Sequence, residues 1–166
     1  MFMQKILVVF PGSFNPFHKG HLNIVEKADY IFGKENVLIA FGMSPKKLET
    51  RSKETGIPIT DLIASIHKRA KDLSDKLSRE TVVYDVFLHE FIQQKEDEGY
   101  KVVLIRGLRN GDDLNFEENQ LKYINDFKKD LHIIFIRCDE KFDHISSSGY
   151  REMEAFRTGS GAHLII

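Results

Sequence analysis

The feature that most constrains the fold is a series of short, continuous apolar runs separated by longer stretches with helical periodicity. Each run has the length of a buried strand and does not alternate with polar residues, as a half-exposed antiparallel strand would. The runs cover residues 5–10, 36–42, 81–86, 101–105 and 131–137. They predict an α/β domain whose five-stranded, mainly parallel sheet is covered by helices on both faces.

The segments between these runs have the spacing of amphipathic helices. In the first of them, apolar residues such as Leu22 and Val25 recur at helical spacing. Residues 49–59 are different, because they are polar and contain Gly56 and Pro58, and we predict a loop there. The predicted helices cover residues 20–32, 60–77, 87–98, 114–127 and 145–157.

Length and composition indicate an ordinary globular domain. The chain has 166 residues, of which 42% are apolar and 30% charged, so we expect residues 1–166 to fold as one domain. The net charge of −1 provides no overall field that would attract nucleic acid or an anionic membrane. Any anion must therefore be bound by a local cluster of charges or donors.

Cysteine content and hydropathy bear on the compartment. Cys138 is the only cysteine, which excludes an internal disulfide and a cysteine-rich metal site, and we interpret it as a passive thiol in a reducing compartment. Residues 1–5 do not begin a secretory signal, and no run approaches the ~20 apolar residues of a membrane span. We expect a cytoplasmic protein with no nucleic acid or membrane partner.

The loop after the first predicted strand carries the most chemistry. It covers residues 11–21, Pro-Gly-Ser-Phe-Asn-Pro-Phe-His-Lys-Gly-His, and places His18 and His21 at the start of a helix. Backbone N–H groups at a helix start are free to bind an anion. The loop alone leaves two interpretations open: a phosphate site with a histidine that meets developing negative charge, or an ordinary turn with an exposed histidine pair.

Four chain segments bring cations and donors to the same predicted edge of the sheet. They are residues 18–21, 44–47, 106–109 and 145–148, which follow the first, second, fourth and fifth predicted strands. In parallel sheets ligands bind beyond the carboxyl ends of the strands. The shared edge therefore predicts a site for a polyphosphate.

The side chains at this edge favour direct nucleotidyl transfer. We predict that Arg106 and Arg109 bind phosphate rather than form ion pairs, and that Lys46 and Lys47 are candidates for a second phosphate. The sequence has no Walker loop, no Gly-x-Gly-x-x-Gly and no pattern typical of a covalent nucleophile or of zinc. A cationic site without a nucleophile would catalyse by positioning and charge stabilisation.

The motif Gly-Ser-Phe-Asn-Pro-Phe-His-Lys-Gly-His at residues 12–21 resembles the signature of the nucleotidylyltransferase superfamily. With Arg-Gly-Leu-Arg at 106–109 and Ile-Ser-Ser-Ser at 145–148, the chain resembles bacterial phosphopantetheine adenylyltransferases from about residue 5 to residue 153. The resemblance implies a Rossmann-like nucleotidylyltransferase fold. It also implies transfer of the adenylyl group of ATP to 4′-phosphopantetheine in coenzyme A biosynthesis, with Mg²⁺ as cofactor. The assembly that the resemblance implies is a homo-oligomer, namely a hexamer.

Residue roles follow from this resemblance, motif by motif. His21 and Lys47 would be catalytic, with His21 on the α-phosphate and Lys47 on the acceptor phosphate and the reacting phosphates. The acceptor site would comprise Ser13, Lys47, Leu88 and Arg106. The ATP site would comprise Ser13, Phe14, His18, His21, Gly107, Leu108, Arg109, Glu118, Phe142, Asp143, His144, Ile145, Ser146, Ser147 and Ser148. No side chain is predicted to ligate a metal.

Three alternatives stay open in the sequence. The acidic segment at 115–120 matches the family with a one-residue gap, which favours Glu118 as the nucleotide-contacting glutamate and leaves Glu117 as the alternative. The acceptor could instead be nicotinamide or nicotinate mononucleotide, or a polyol phosphate in cytidylyl transfer. A non-catalytic nucleotide-binding relative is the third alternative.

Overall fold

The computed structural model describes residues 3–166, in which five strands form a single sheet. The prediction that residues 1–5 do not begin a secretory signal falls partly on Met1 and Phe2, which lie outside the described residues. The strands are β1 Lys5–Gly12, β2 Val37–Gly42, β3 Thr81–Tyr84, β4 Tyr100–Leu108 and β5 His132–Arg137. They pair in the order β3-β2-β1-β4-β5, and all of these pairings are parallel. The predicted sheet is confirmed.

Helices flank the strands along the described chain. The α-helices are α1 Lys19–Phe32, α2 Pro45–Thr55, α3 Ile59–Leu77, α4 Leu88–Asp97, α5 Gly111–Phe127 and α6 Ser147–Phe156. Short 3₁₀ helices span Lys34–Asn36, Glu140–Phe142 and Ala162–Leu164. None of the described helices combines the length and the apolar character that crossing a membrane requires.

The segment predicted to be a loop at residues 49–59 is mostly helical, so that prediction is wrong. α2 begins after Ser44, whose hydroxyl oxygen faces the Lys47 N–H at 3.5 Å, and Pro45 stands in its first turn. Gly56 ends it in the left-handed conformation, with a φ of 71°. Because α2 has no buried residue, it lacks the apolar periodicity by which a helix is predicted.

Two strands extend further toward the sheet edge than predicted. β1 continues through Gly12 and β4 through Leu108, each beyond its expected end. Arg106 is therefore held in strand geometry rather than in a loop. β3 ends at Tyr84, earlier than the sequence suggested.

Two hydrophobic cores lie on opposite faces of the sheet, because successive strand residues point to opposite sides. Val8 and Phe10 of β1 belong to the core that α1 and α3 cover. Val9, between them, belongs to the second core, to which α4 contributes Phe91 and Ile92. The prediction of helices on both faces is confirmed.

The strand order changes direction between β1 and β4. From β1 the chain passes to β2 and β3 on one side and then crosses to β4 and β5 on the other. Loops that leave two such central strands diverge and open a crevice at the carboxyl ends. Gly12 and Leu108 end these strands, so the fold itself places a ligand site beyond them.

Candidate active site

A cavity of about 370 Å³ opens at the carboxyl ends of β1 and β4. Its walls come from the loop after β1, the start of α1, the end of β4, α5 and the start of α6. The predicted site residues that line it are Ser13, Phe14, His18, His21, Arg106, Gly107, Leu108, Arg109, Phe142, Ile145, Ser146 and Ser147. The fold thus brings three distant sequence motifs to one place.

His18 and His21 form reciprocal hydrogen bonds at the start of α1. The His18 N–H donates to Nδ1 of His21 at 3.1 Å, and the His21 N–H donates to Nδ1 of His18 at 3.3 Å. This is a capping box in which imidazole nitrogens replace the usual hydroxyl and carboxylate. The two rings stack with their centroids 3.6 Å apart. The cap therefore fixes both rings relative to α1.

Both imidazoles are neutral near pH 7. Burial lowers the pKa of His18 to about 4, and the Arg109 charge adds to the effect. Burial also holds the pKa of His21 well below 6.5, again with a contribution from neighbouring charges. Since each Nδ1 accepts a backbone N–H, a neutral ring carries its proton on Nε2. Each histidine therefore offers an uncharged Nε2–H donor.

Phe14 supports this loop from a strained backbone conformation. Its φ of 42° is unfavourable for a bulky residue, and its side chain is only 3% exposed. The ring makes edge contacts with Phe10, His21 and Phe41 at centroid distances of 5.2, 5.0 and 5.1 Å. A Cβ on Gly12 would lie 2.7 Å from the ring, so the loop requires glycine there.

Arg109 binds Asp113 in a bidentate manner through one edge of its guanidinium group. Nε donates to Oδ2 and Nη2 donates to Oδ1, each at 2.9 Å, and the Arg109 backbone N–H donates to Oδ2 at 2.8 Å. These hydrogen bonds lower the pKa of Asp113 and raise the pKa of Arg109. The pair is therefore ionised over the physiological range.

Arg106 forms a second ion pair with α5. Its Nε donates to Oε2 of Glu117 at 2.6 Å, and the two side chains are only 20% and 16% exposed. Asp113 and Glu117 lie four residues apart, so one face of α5 carries both carboxylates. α5 thus supplies a counter-charge for each arginine in the cavity.

The expectation that Arg106 and Arg109 avoid ion pairs is wrong. A guanidinium group at the end of a buried strand loses much of its hydration and requires a nearby negative charge, which α5 provides. Both arginines nevertheless line the cavity. The cavity is therefore less cationic than the sequence suggested.

The N-terminus of α6 forms another wall of the cavity. Ser146 caps it, and its hydroxyl oxygen accepts the Gly149 N–H at 3.0 Å. The Ser147 hydroxyl donates to the carbonyl oxygen of Pro16 at 2.9 Å, which ties α6 to the loop after β1. The N–H groups and the dipole at such a helix end favour an anion.

Several predicted site residues do not line the cavity. Lys47 is exposed in the first turn of α2, and Leu88 begins α4 and packs against the second core. Glu118 is exposed on α5 and does not line the cavity, whereas Glu117 does. The glutamate at the cavity is therefore the one that the sequence match had given as the alternative. The predicted residues outside the wall are Lys47, Leu88, Glu118, Asp143, His144 and Ser148.

Other cavity residues were absent from the predicted site, except that Glu117 had been named as the alternative to Glu118. They are Phe10, Pro11, Gly12, Gly20, Ile24, Asp113, Phe116, Glu117 and Cys138. Asp113 and Glu117 had a detectable signal, because their separation of four residues places both carboxylates on one helical face. Ile24 and Cys138 had no signal in the sequence, because their place in the cavity wall depends on how distant segments of the chain pack together.

Comparison with known proteins identifies the family. The sequence profile of a family described as cytidylyltransferase-like matches residues 9–153. A phosphopantetheine adenylyltransferase from Thermodesulfovibrio yellowstonii is 30% identical over 149 residues, which cover 89% of this chain and 83% of that protein. The chain belongs to the cytidylyltransferase-like family, among its phosphopantetheine adenylyltransferases.

Other phosphopantetheine adenylyltransferases give the same result. The protein of that name from Mycoplasma capricolum is 29% identical over 154 residues, or 91% of this chain and 98% of that protein. The one from Clostridium botulinum is 25% identical over 148 residues, or 89% of this chain and 81% of that protein. The family resemblance predicted from the three motifs is confirmed.

A solved structure agrees with the fold of the cytidylyltransferase-like family. A proposed nicotinate-nucleotide adenylyltransferase from Vibrio parahaemolyticus has a TM-score of 0.50 to this chain, covering 93% of this chain and 85% of that chain. Its sequence identity is 16%, so the likeness concerns the fold alone. The predicted Rossmann-like nucleotidylyltransferase fold is confirmed.

The histidine cap leads to a prediction for pH titration. In a ¹H–¹³C NMR titration of the imidazole Cε1–H groups, His18 should titrate at about pH 4 and His21 well below 6.5. Because the unfolded chain binds a proton at His18 near pH 6.5 and the folded chain does not, the free energy of unfolding should decrease as the pH falls from 6.5 toward about 4. A cationic ring at either position at neutral pH would contradict the assignment.

The two adjacent glutamates on α5 provide a matched pair of substitutions. Glu117→Gln leaves the Arg106 guanidinium without its buried counter-charge, so it should lower the free energy of unfolding by about 1–3 kcal/mol. Glu118→Gln alters an exposed side chain and should change it by less than about 0.5 kcal/mol. Urea unfolding of both variants measures the difference; equal effects would show that the Arg106–Glu117 pair contributes little.

Proposed function

We propose that this chain transfers the adenylyl group of ATP to 4′-phosphopantetheine, giving dephospho-coenzyme A and pyrophosphate. The observation that carries the proposal is the convergence of two neutral histidine donors, two arginines and a helix N-terminus on one cavity. All of these groups bind phosphate oxygens, and they suit direct transfer without a covalent intermediate. The relatives are named for this activity.

His21 would stabilise the transition state as an uncharged hydrogen-bond donor. A phosphate oxygen of the acceptor attacks the α-phosphorus of ATP as the bond to pyrophosphate breaks, and no proton has to move in this step. Negative charge redistributes over the α-phosphate oxygens, so an Nε2–H aimed at them binds more strongly in the transition state than in the ground state. Burial strengthens this interaction because the surroundings have a low dielectric constant.

Arg106 and Arg109 would bind phosphate while keeping their carboxylate partners. A guanidinium group has five N–H donors. The pair with Glu117 uses only Nε of Arg106, and the side-chain contacts with Asp113 use Nε and Nη2 of Arg109. The remaining donors are available to a ligand, and the carboxylates hold the guanidinium planes in place for it.

The acceptor would lie on the side of β2 and β3. Lys47 follows β2 in the first turn of α2, and Leu88 follows β3 at the start of α4, so both stand at the carboxyl edge of the sheet. We propose that the exposed Lys47 ammonium group contacts the acceptor phosphate and that Leu88 borders the pantetheine arm. Both roles need the substrate to extend beyond the cavity that the other residues line.

Magnesium would enter with the nucleotide as MgATP. The cavity contains hard oxygen donors, the carboxylates of Asp113 and Glu117, but both are hydrogen-bonded to arginines. We propose that phosphate oxygens and water hold most of the Mg²⁺ coordination sphere, with these carboxylates nearby. When bound, the ion neutralises charge on pyrophosphate.

The homo-hexameric assembly and the cytoplasmic location stay predictions from the sequence.

Pyrophosphate release from MgATP tests the function directly. We expect turnover with 4′-phosphopantetheine and none with nicotinamide mononucleotide at the same concentration. Turnover with the mononucleotide alone would keep the mechanism and change the acceptor. ATP binding without turnover on either acceptor would indicate a non-catalytic nucleotide-binding protein.

Replacement of His21 tests the role assigned to it. His21→Ala should lower kcat by about 10²–10³-fold, the usual loss for one donor to a developing charge, while ATP affinity changes little. His67→Ala, on an exposed position of α3, is the matched control and should retain wild-type kcat. Circular dichroism establishes that both variants fold. A folded His21→Ala enzyme with an undiminished rate would refute the assignment.

A further inference from the structure

Outside the cavity, two arginines from different helices, Arg69 and Arg151, donate hydrogen bonds to Asn15 in the loop after β1. Nη1 of Arg69, on α3, donates to Oδ1 of Asn15 at 2.5 Å. Nη1 of Arg151, on α6, donates to the Asn15 carbonyl oxygen at 2.5 Å. Burial lowers the pKa of Arg69, and the nearby charges of Arg51, on α2, and of Arg151 lower it further. We call these three residues the arginine cluster.

The arginine cluster has no acidic partner in the described chain. Among residues 3–166, the ion pairs within 4.0 Å involve none of its members. Nε of Arg69 is buried and makes no hydrogen bond to any described residue. Like charges held together without a counter-charge cost stability, and a buried unbonded donor adds to that cost. Such a cluster is explained if an anion binds to it.

The arginine cluster adjoins the wall of the active-site cavity. Asn15 lies two residues after Ser13, which lines the cavity. Arg151 lies one helical turn after Ser147, which also lines it and whose hydroxyl donates to Pro16. Arg51 and Arg151 are exposed, so an anion can reach the cluster from solvent.

We propose that Arg51, Arg69 and Arg151 form a binding site for a terminal phosphate group of a substrate. Arginine suits this ligand because its fork of N–H donors matches phosphate oxygens, and a doubly charged phosphate offsets the repulsion among the three guanidinium groups. The inference rests on the proposed function, since it extends the same site. The nucleotide carries such a group, because the pyrophosphate that leaves extends beyond the reacting phosphorus, whereas the single phosphate of the acceptor is itself the group that attacks.

Calorimetric titration tests whether the arginine cluster binds the pyrophosphate group, with 4′-phosphopantetheine as the control ligand. Pyrophosphate and 4′-phosphopantetheine are each titrated into wild type, Arg51→Gln and Arg151→Gln. Loss of one charge-assisted contact should weaken pyrophosphate binding by about 10-fold or more and leave 4′-phosphopantetheine binding unchanged. Lys53→Gln removes the same charge from α2 two residues from Arg51, on the opposite side of the helix, and should bind both probes as wild type does. An unchanged pyrophosphate affinity in Arg51→Gln and Arg151→Gln would overturn the proposal.

Thermal unfolding without added anion gives a second, independent readout. If the arginine cluster is a ligand site, Arg51→Gln relieves repulsion, and its Tm should equal or exceed that of Lys53→Gln. A Tm lower than that of Lys53→Gln would assign Arg51 a structural role and overturn the proposal.

The binding measurement is independent of turnover, so the two proposals can fail separately. Cluster-dependent pyrophosphate binding in a protein that turns over no acceptor would support the phosphate site and refute the enzymatic function. Normal turnover, together with a pyrophosphate affinity that Arg51→Gln and Arg151→Gln leave unchanged, would refute the phosphate site and support the function.

Discussion

The reciprocal hydrogen bonds between His18 and His21 determine how the rest of the site is built. Each ring uses Nδ1 to satisfy a backbone N–H at the start of α1, so neither ring can turn without leaving that group unpaired. Helix start, ring orientation and tautomer are therefore fixed together. An isolated antiparallel bridge between His18 and Ile165 holds the same point from the C-terminal segment. Preorganised donors of this kind need no rearrangement when charge develops.

Much of the fold is predictable because a parallel sheet is buried on both faces and its strands are continuously apolar. That signal located all five strands, and the direction of parallel strands then placed their following loops at one edge. The same reasoning missed α2, because a helix that buries none of its residues has no apolar stripe to detect. Its capping residues, Ser44 and Gly56, carried the information instead.

The site was predictable where a chemical group is defined by local sequence and less so where it depends on tertiary partners. His18 and His21 are defined by local sequence, as are Ser146 and Ser147 at the start of α6, and these four residues line the cavity as expected. The partners of Arg106 and Arg109 come from α5, whose helical phase decides that Glu117 rather than Glu118 faces inward. The arginine cluster draws on three helices far apart in sequence, so no local pattern reveals it.

Two sets of arginines therefore surround the loop after β1, and they differ in how their charge is balanced. Arg106 and Arg109 lie against partly buried carboxylates, which hold them in the cavity wall and reduce the cost of their partial burial. Arg51 and Arg151 are exposed, so water screens most of their repulsion, whereas Arg69 is partly buried and is the member that water screens least. A polyphosphate that spanned both sets would meet the oriented donors of Arg106 and Arg109 at the reacting phosphorus. Its terminal phosphate would meet the uncompensated positive charge of the arginine cluster. This division lets binding energy from the remote end of a substrate contribute to positioning its reacting phosphorus.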